Sequence, residues 1–103
     1  MHAEIERRRG ELSSLCRRHG VARLEVFGSA ARGDDFDPAR SDVDFLVQFD
    51  SSARGISTYF DFKQALENLL GRPVDLVERS AIEKSRNYIR RRAILKEAQA
   101  VYG

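Results

Sequence analysis

Two aspartates placed two residues apart have the type and spacing that catalysis can use. Asp42 and Asp44 begin the segment DVDFLVQF, in which every second residue from Val43 to Phe49 is apolar. Alternation predicts a β-strand, so both carboxylates project from one side, with Cα atoms about 6.6 Å apart. Carboxylates this close repel each other, and a divalent cation such as Mg²⁺, or two of them, would relieve the repulsion while sharing substrate phosphate oxygens. The pair indicates phosphoryl or nucleotidyl transfer, unless both residues are solvated turn residues before the strand.

A glycine and a serine precede this pair. Gly28 and Ser29 follow the apolar run VARLEVF and begin the segment SAARG. Glycine allows close approach of a ligand, while a serine at a helix start offers its hydroxyl and nearby backbone N–H groups to phosphate. Arg32, one turn later, could reach the same anion. The alternatives are an ordinary helix cap and a surface arginine.

A third carboxylate lies in the apolar segment RPVDLVE. Asp75 stands there between Val74 and Leu76. Neighbouring strands lie only about 4.8 Å apart, so Asp75 faces either the same site as Asp42 and Asp44 or solvent at a sheet edge. In the site it could bind the metal or accept a proton from an attacking hydroxyl.

The remaining periodicity predicts the elements that carry these residues. The predicted order is helix (3–19), strand (21–28), short helix from Ser29, strand (42–49), helix (56–70), strand (72–78) and helix from Ser80 to about Ala98. The expected buried stripes are apolar residues at helical spacing: Ile56, Tyr59, Phe60, Phe62, Leu66, Leu69 and Leu70 in one helix, and Ile82, Tyr88, Ile89 and Leu95 in the last. This alternation predicts an α/β (α+β) fold, a small mixed sheet covered by helices.

The length and composition of the chain indicate one small domain. The 103 residues, with a net charge of +2, suit one domain over 1–103, and the single Cys16 is expected in the core. The chain has no apolar run long enough for a membrane span and no signal peptide, so we expect a cytoplasmic protein without a membrane partner. The last helix is basic but lacks aromatic residues on its polar face, which favours a solvated or protein-facing surface over direct nucleic-acid binding.

The motifs GSAARG, SDVDFLV and RPVDLVE, in this order, resemble the DNA polymerase beta superfamily of nucleotidyltransferases. More narrowly they resemble the minimal nucleotidyltransferases (MNT) that act as antitoxins beside HEPN-domain toxins. The resemblance covers nearly the whole chain. The segment between Ser29 and Asp42 is two residues longer than is usual in that family.

The resemblance implies a polymerase-beta-like fold and a role for each motif. Gly28 and Ser29 would bind the nucleotide phosphates, and Asp42 and Asp44 would bind Mg²⁺ with Asp75 completing the triad. AMP from ATP would be transferred to a tyrosine hydroxyl of the cognate HEPN RNase, which would silence it, and the antitoxin could form an oligomer with the toxin. Two alternatives remain open: a vestigial site that neutralises the toxin by binding, and a transferase acting on a small molecule or RNA end with a separate acceptor-binding subunit.

Overall fold

The computed structural model describes residues 2–32, 42–51 and 55–103, in which helices alternate with strands. The helices are α1 (Ala3–Arg7), α2 (Arg9–Arg18), α3 (Ser29–Arg32), α4 (Ile56–Leu70), α5 (Arg79–Glu83) and α6 (Tyr88–Glu97). The strands are β1 (Val21–Phe27), β2 (Val43–Phe49), β3 (Val74–Glu78) and β4 (Gln99–Tyr102). Among the described helices, none is long and apolar enough to cross a membrane.

The strands form one mixed sheet in the order β3-β2-β1-β4. β1 pairs antiparallel with both β2 and β4, while β2 and β3 run parallel. A parallel pair needs a crossover connection, and α4 supplies it between β2 and β3. The predicted mixed sheet with helices is confirmed.

One side of the sheet, here called the packed face, carries Val43, Phe45 and Val47. α2 and α4 cover it, and the side chains that meet there, including Phe45 and Phe62, have no exposed surface. Cys16 of α2 belongs to this core, as predicted, and burial raises the pKa of its thiol to about 12. A thiol held neutral in this way acts as a small apolar side chain.

The other side, here called the half-open face, carries Asp44, Leu46 and Gln48 of β2. Leu46 packs in a smaller cluster with Phe27, Ile82 of α5 and Ile94 of α6. The helices therefore cover the middle of this face, whereas Asp44, two residues before Leu46 on β2, remains half-buried.

Two side chains fasten α4 to β3. The Glu67 carboxylate accepts a hydrogen bond of 2.9 Å from the Val74 N–H, and the Tyr59 hydroxyl donates to the Leu76 carbonyl. The helix then ends at Gly71, as predicted, with φ of 69°. These contacts fix the strand that carries Asp75.

The single first helix predicted over 3–19 is wrong in one respect. The chain leaves helical geometry at Arg8, with φ of −97° and ψ of 11°, and two helices result. The interruption lies in a stretch of three arginines followed by Gly10, where no apolar residue stands between Ile5 and Leu12. This turn therefore lacks the apolar packing that would keep it helical.

The prediction for the C-terminal segment is wrong in three respects. The helix predicted from Ser80 begins at Arg79 and ends at Glu83, and a second helix begins after Asn87, whose side chain accepts from the Arg90 N–H. The predicted core residues Tyr88 and Ile89 are 61% and 69% exposed. The chain then forms β4, because its last residues pair with β1, a long-range contact that local periodicity does not reveal.

Two members of the stripe predicted for α4 are also not in the core. Ile56 is 76% exposed and Phe60 is 57% exposed. They belong to the N-terminal half of α4, while Phe62, Leu66 and Leu70 lie against the sheet. The sequence also predicts a polar surface loop over residues 34–41, with Asp34, Asp35 and Asp37 in solvent, and this loop lies outside the described residues.

Candidate active site

The sheet places the three predicted carboxylates together. Asp42 immediately precedes β2, Asp44 is the second residue of β2 and Asp75 is the second residue of β3. The parallel register pairs Asp44 directly with Asp75, so both side chains lie on the half-open face. Asp42 and Asp75 are exposed and Asp44 is half-buried. Asp75 therefore lies beside the aspartate pair and is also exposed on an outermost strand. The two alternatives for this residue, the shared site and the sheet edge, both apply.

The carboxylates act on one another electrostatically. Burial raises the pKa of Asp44 to about 6, and the negative charges of Asp75 and Asp42 contribute to the rise. The guanidinium of Arg32 works in the opposite direction. Asp44 therefore ionises at a cost that a bound cation would remove.

Gly28 lies against Asp44. Its φ is 72°, in the left-handed region, and a Cβ added to it would stand 2.5 Å from the Asp44 Oδ2. The turn and the close approach both require glycine here. Antiparallel pairing of β1 with β2 brings about the contact, since Phe27, the residue before Gly28, pairs with Asp44.

Ser29 begins α3, a single turn built on Gly28. The Gly28 carbonyl accepts hydrogen bonds of 3.1 Å from the N–H groups of Ala31 and Arg32. Ala30 and Ala31 are buried against the core, whereas Ser29 is half-buried. Ser29 thus directly follows the glycine that lies against Asp44.

Arg32 connects the carboxylates to the last helix. It is exposed, its Nη1 lies 3.1 Å from the Glu97 Oε1 at the end of α6, and its charge lowers the pKa of Asp44. A cation within reach of Asp44 can also reach an anion bound beside that residue. The sequence did not predict the pairing with Glu97.

A buried ion pair beside the site was also missed. Glu25 of β1 is only 4% exposed and pairs with Arg79, the first residue of α5, and with Arg23 at 3.4 Å. The pair anchors α5 across the half-open face, next to Leu46. The signal was present in the sequence, since a single acid in VARLEVF has to find a partner if the strand is buried.

The carboxylates suit Mg²⁺ by donor chemistry. In the described ranges no three Asp, Glu, His or Cys side chains converge closely enough to enclose an ion on their own. Mg²⁺ in nucleotide enzymes is commonly held by one or two carboxylates together with substrate phosphates and water. Half-buried Asp44, with Asp42 and Asp75 beside it, offers such an open set of oxygens.

Comparison with known proteins settles the family. The profile of the nucleotidyltransferase domain matches residues 9–101, nearly the whole chain. The chain belongs to the nucleotidyltransferase domain family. This nucleotidyltransferase is 39% identical over 69 residues to the protein adenylyltransferase MntA of Thermococcus cleftensis, covering 67% of each protein.

Solved structures agree on the fold. One, assigned as a minimal nucleotidyltransferase, is 40% identical, with a TM-score of 0.72 over 96% of this chain and 95% of the other. A chain in the structure of a tri-AMPylated Shewanella oneidensis HEPN toxin in complex with MNT antitoxin has a TM-score of 0.63 at 16% identity, over 96% of this chain and 72% of that chain. At such low identity the second likeness shows the fold alone.

Proposed function

We propose that this nucleotidyltransferase is the antitoxin of a HEPN RNase toxin and transfers AMP from ATP to a tyrosine hydroxyl of that toxin, in a Mg²⁺-dependent reaction. The observation that carries the proposal is the direct pairing of Asp44 with Asp75 beside Gly28. The names of a similar protein and of a similar solved structure support the proposal. A relative is called a protein adenylyltransferase, and a structure of the same fold includes an AMPylated HEPN toxin.

The carboxylates would hold the metal and receive the proton. We assign Asp42, Asp44 and Asp75 to Mg²⁺, one ion or two, which when bound neutralises charge on the nucleotide phosphates. The tyrosine oxygen would form the new bond to the α-phosphorus as the bond to pyrophosphate breaks. Asp75, exposed on an outermost strand, is placed to take the hydroxyl proton.

Gly28, Ser29 and Arg32 would bind the nucleotide phosphates. The Gly28 backbone leaves room for a phosphate next to Asp44, and Ser29 adds a hydroxyl and a backbone N–H. Arg32 would exchange its contact with Glu97 for a phosphate oxygen. These residues orient the nucleotide, and orientation together with charge neutralisation supplies most of the rate enhancement in phosphoryl transfer.

The deciding experiment is the intact mass of the HEPN protein encoded beside this chain, after incubation with the chain, ATP and Mg²⁺. We expect one or more added AMP units, and none with an Asp42→Asn, Asp44→Asn variant. Asp61→Asn, an exposed aspartate of α4, is the matched control and should act like the wild type. Mapping the modified residue by fragmentation tests whether it is a tyrosine.

The alternatives give other results. Neutralisation of the toxin that survives in the Asp42→Asn, Asp44→Asn variant would favour an antitoxin that acts by binding alone. An unmodified toxin together with AMP incorporated into RNA or a small molecule would favour a transferase with a different acceptor. Either result would contradict the proposal.

A further inference from the structure

An apolar groove opens between α4, β3 and α5. Ile56 and Phe60, one turn apart on α4, stand exposed at its rim, and Leu76, Val77 and Ala81 line it. Its volume is about 600 Å³, enough for one or two side chains of a partner. Exposed apolar side chains grouped around a groove commonly mark an interaction site.

Contacts within the groove fix the positions of its walls. The Tyr59 hydroxyl donates to the Leu76 carbonyl and so ties one wall to the other. The rings of Tyr59 and Phe60 meet edge to face, with centroids 5.1 Å apart. A partner therefore meets a preformed surface and loses little free energy in ordering it.

The groove begins beside the candidate active site. Leu76 directly follows Asp75 on β3, so the lining starts one residue from the proposed proton acceptor. Burial raises the pKa of Tyr59, and the negative charges of Asp75 and Glu78 raise it further. Leu76 and Asp75 project from opposite faces of the sheet, so the groove and the carboxylates share the strand β3 and its outer edge.

The charged residues that line the groove, among those that the structure describes, are acidic, and Glu83 beside them pairs with Arg79 at 3.6 Å. Glu78 lines it, and an adjoining cavity of about 440 Å³, which shares Glu78, is lined by Asp50 and Glu83 as well. Of the charged residues in the described ranges, only acids line these two cavities. The whole chain carries +2, so this acidic surface contrasts with the average of the molecule.

A second exposed apolar patch has the opposite charge. Tyr88 and Ile89 of α6 are 61% and 69% exposed and line a cavity of about 330 Å³ with Arg92 and Lys96. This patch also corrects the prediction that no aromatic residue stands on the polar face of that helix. Both patches expose apolar side chains, but acids line the groove and bases line the patch on α6. A charged partner would therefore bind one patch in preference to the other.

We propose that the groove between α4 and β3 docks the acceptor protein, through an apolar side chain flanked by Arg or Lys. The identity of the acceptor as an RNase rests on the proposed function. A protein that binds RNA presents a cationic surface to the phosphates, and such a surface is attracted by Glu78 in the groove and repelled by Arg92 and Lys96. Docking there brings the acceptor to the outer edge of β3, the strand that carries Asp75.

The test compares the two patches. The double variant Ile56→Ser, Phe60→Ser removes the groove rim, and Tyr88→Ser, Ile89→Ser is the matched control on α6. Binding to the HEPN protein encoded beside this chain is measured by calorimetry without nucleotide, and thermal unfolding verifies that both variants fold. We expect the groove variant to raise Kd by about thirtyfold or more, and the control by less than about threefold.

A charge variant adds an independent measurement. Glu78→Gln, Glu83→Gln should slow association at low salt by about tenfold and flatten its salt dependence, because steering of a cationic surface depends on these charges. An association rate that is unchanged by this variant would contradict the charge argument.

Several outcomes would overturn the proposal. They are wild-type affinity in the groove variant, an equal or greater loss in the control on α6, and a wild-type chain that is dimeric alone and becomes monomeric in the groove variant. Affinity is measured without ATP, so the two proposals are judged separately. AMP transfer with unaltered affinity in the groove variant would refute the docking surface alone, whereas groove-dependent binding without AMP transfer would refute the transferase function alone.

Discussion

The two faces of the sheet are built for different purposes. On the packed face, Phe45 and Phe62 are fully buried in a large cluster of apolar side chains, and the His19 ring lies 5.6 Å from that of Phe62. On the half-open face a smaller apolar cluster around Leu46 lies beside three carboxylates that repel one another. Burial of apolar surface stabilises the first face, while on the second the repulsion among the carboxylates lowers stability at the site where we propose that a cation and phosphate bind. Stability and chemistry are thus separated by one sheet.

The largest effect is expected on the packed face. Phe62→Ala should lower the free energy of unfolding by about 3–5 kcal/mol, because it removes a fully buried ring and leaves a cavity between α4 and the sheet. Urea denaturation measures the change. AMP transfer per folded molecule should stay near the wild-type value at low temperature, and a large drop in it would show that the two faces are not separable.

On the half-open face, Gly28→Ala should affect catalysis more than stability. A left-handed φ costs a non-glycine residue about 1–2 kcal/mol, and the new Cβ would displace the Asp44 carboxylate. A shift of this kind can slow transfer by about 10²-fold.

Gly10→Ala is the control for this substitution. The added Cβ meets nothing within 4 Å, so a helical alanine there should raise stability by about 0.5–1 kcal/mol and leave the transfer rate alone. Denaturation and single-turnover rates of both variants would be compared. Equal loss of activity in the two would argue against a special role for the contact between Gly28 and Asp44.

The pH dependence of stability should report on Asp44. Its pKa is about 6 in the fold against 3.8 as the ordinary value, so between these values the native state binds more protons than the unfolded state. The contribution of Asp44 to the free energy of unfolding therefore falls as pH rises from about 4 to about 6. Denaturation of the metal-free, nucleotide-free protein should show this fall, and Asp44→Asn should remove it. Asp61→Asn should retain it, and persistence of the fall in Asp44→Asn would assign it to another group.

The smallest effect is expected for the ion pair between Arg32 and Glu97. Both side chains are substantially exposed, so water screens the pair, and Glu97→Gln should change stability by less than about 1 kcal/mol. Thermal unfolding would measure this. A loss larger than that would mean that α6 is held to the half-open face by this contact more than by Ile94.

The sequence was a good guide where local pattern and burial coincide. The strands β1, β2 and β3 were predicted within a residue or two, and α4 was predicted in full, ending at Gly71. In these segments the apolar residues recur at the period of one element, and glycine or proline marks the boundary. The same patterns predicted that Asp44 and Asp75 lie on strands but left open whether Asp75 faces the aspartate pair or solvent, and the register of β2 against β3 decides this.

The features that the sequence did not predict depend on contacts between segments that are far apart in the chain. α6 has no single apolar stripe, and contact with Phe27 and Leu46 decides that Ile94 is buried while Ile89 is not. The contact between Gly28 and Asp44 requires the register of β1 against β2, which the sequence does not state. The exposure of Ile56 and Phe60 likewise depends on how far α4 extends beyond its contact with the sheet.

The two hydrogen bonds that fasten α4 to β3 also bear on how the molecule behaves at high concentration. An outermost strand offers free backbone groups on which another chain could add a strand, the first step toward fibrils. On β3 the Val74 N–H and the Leu76 carbonyl are already taken by Glu67 and Tyr59. On the opposite border, Arg9 donates to the Ala100 carbonyl of β4. Both borders of the sheet are thus partly blocked to templated growth.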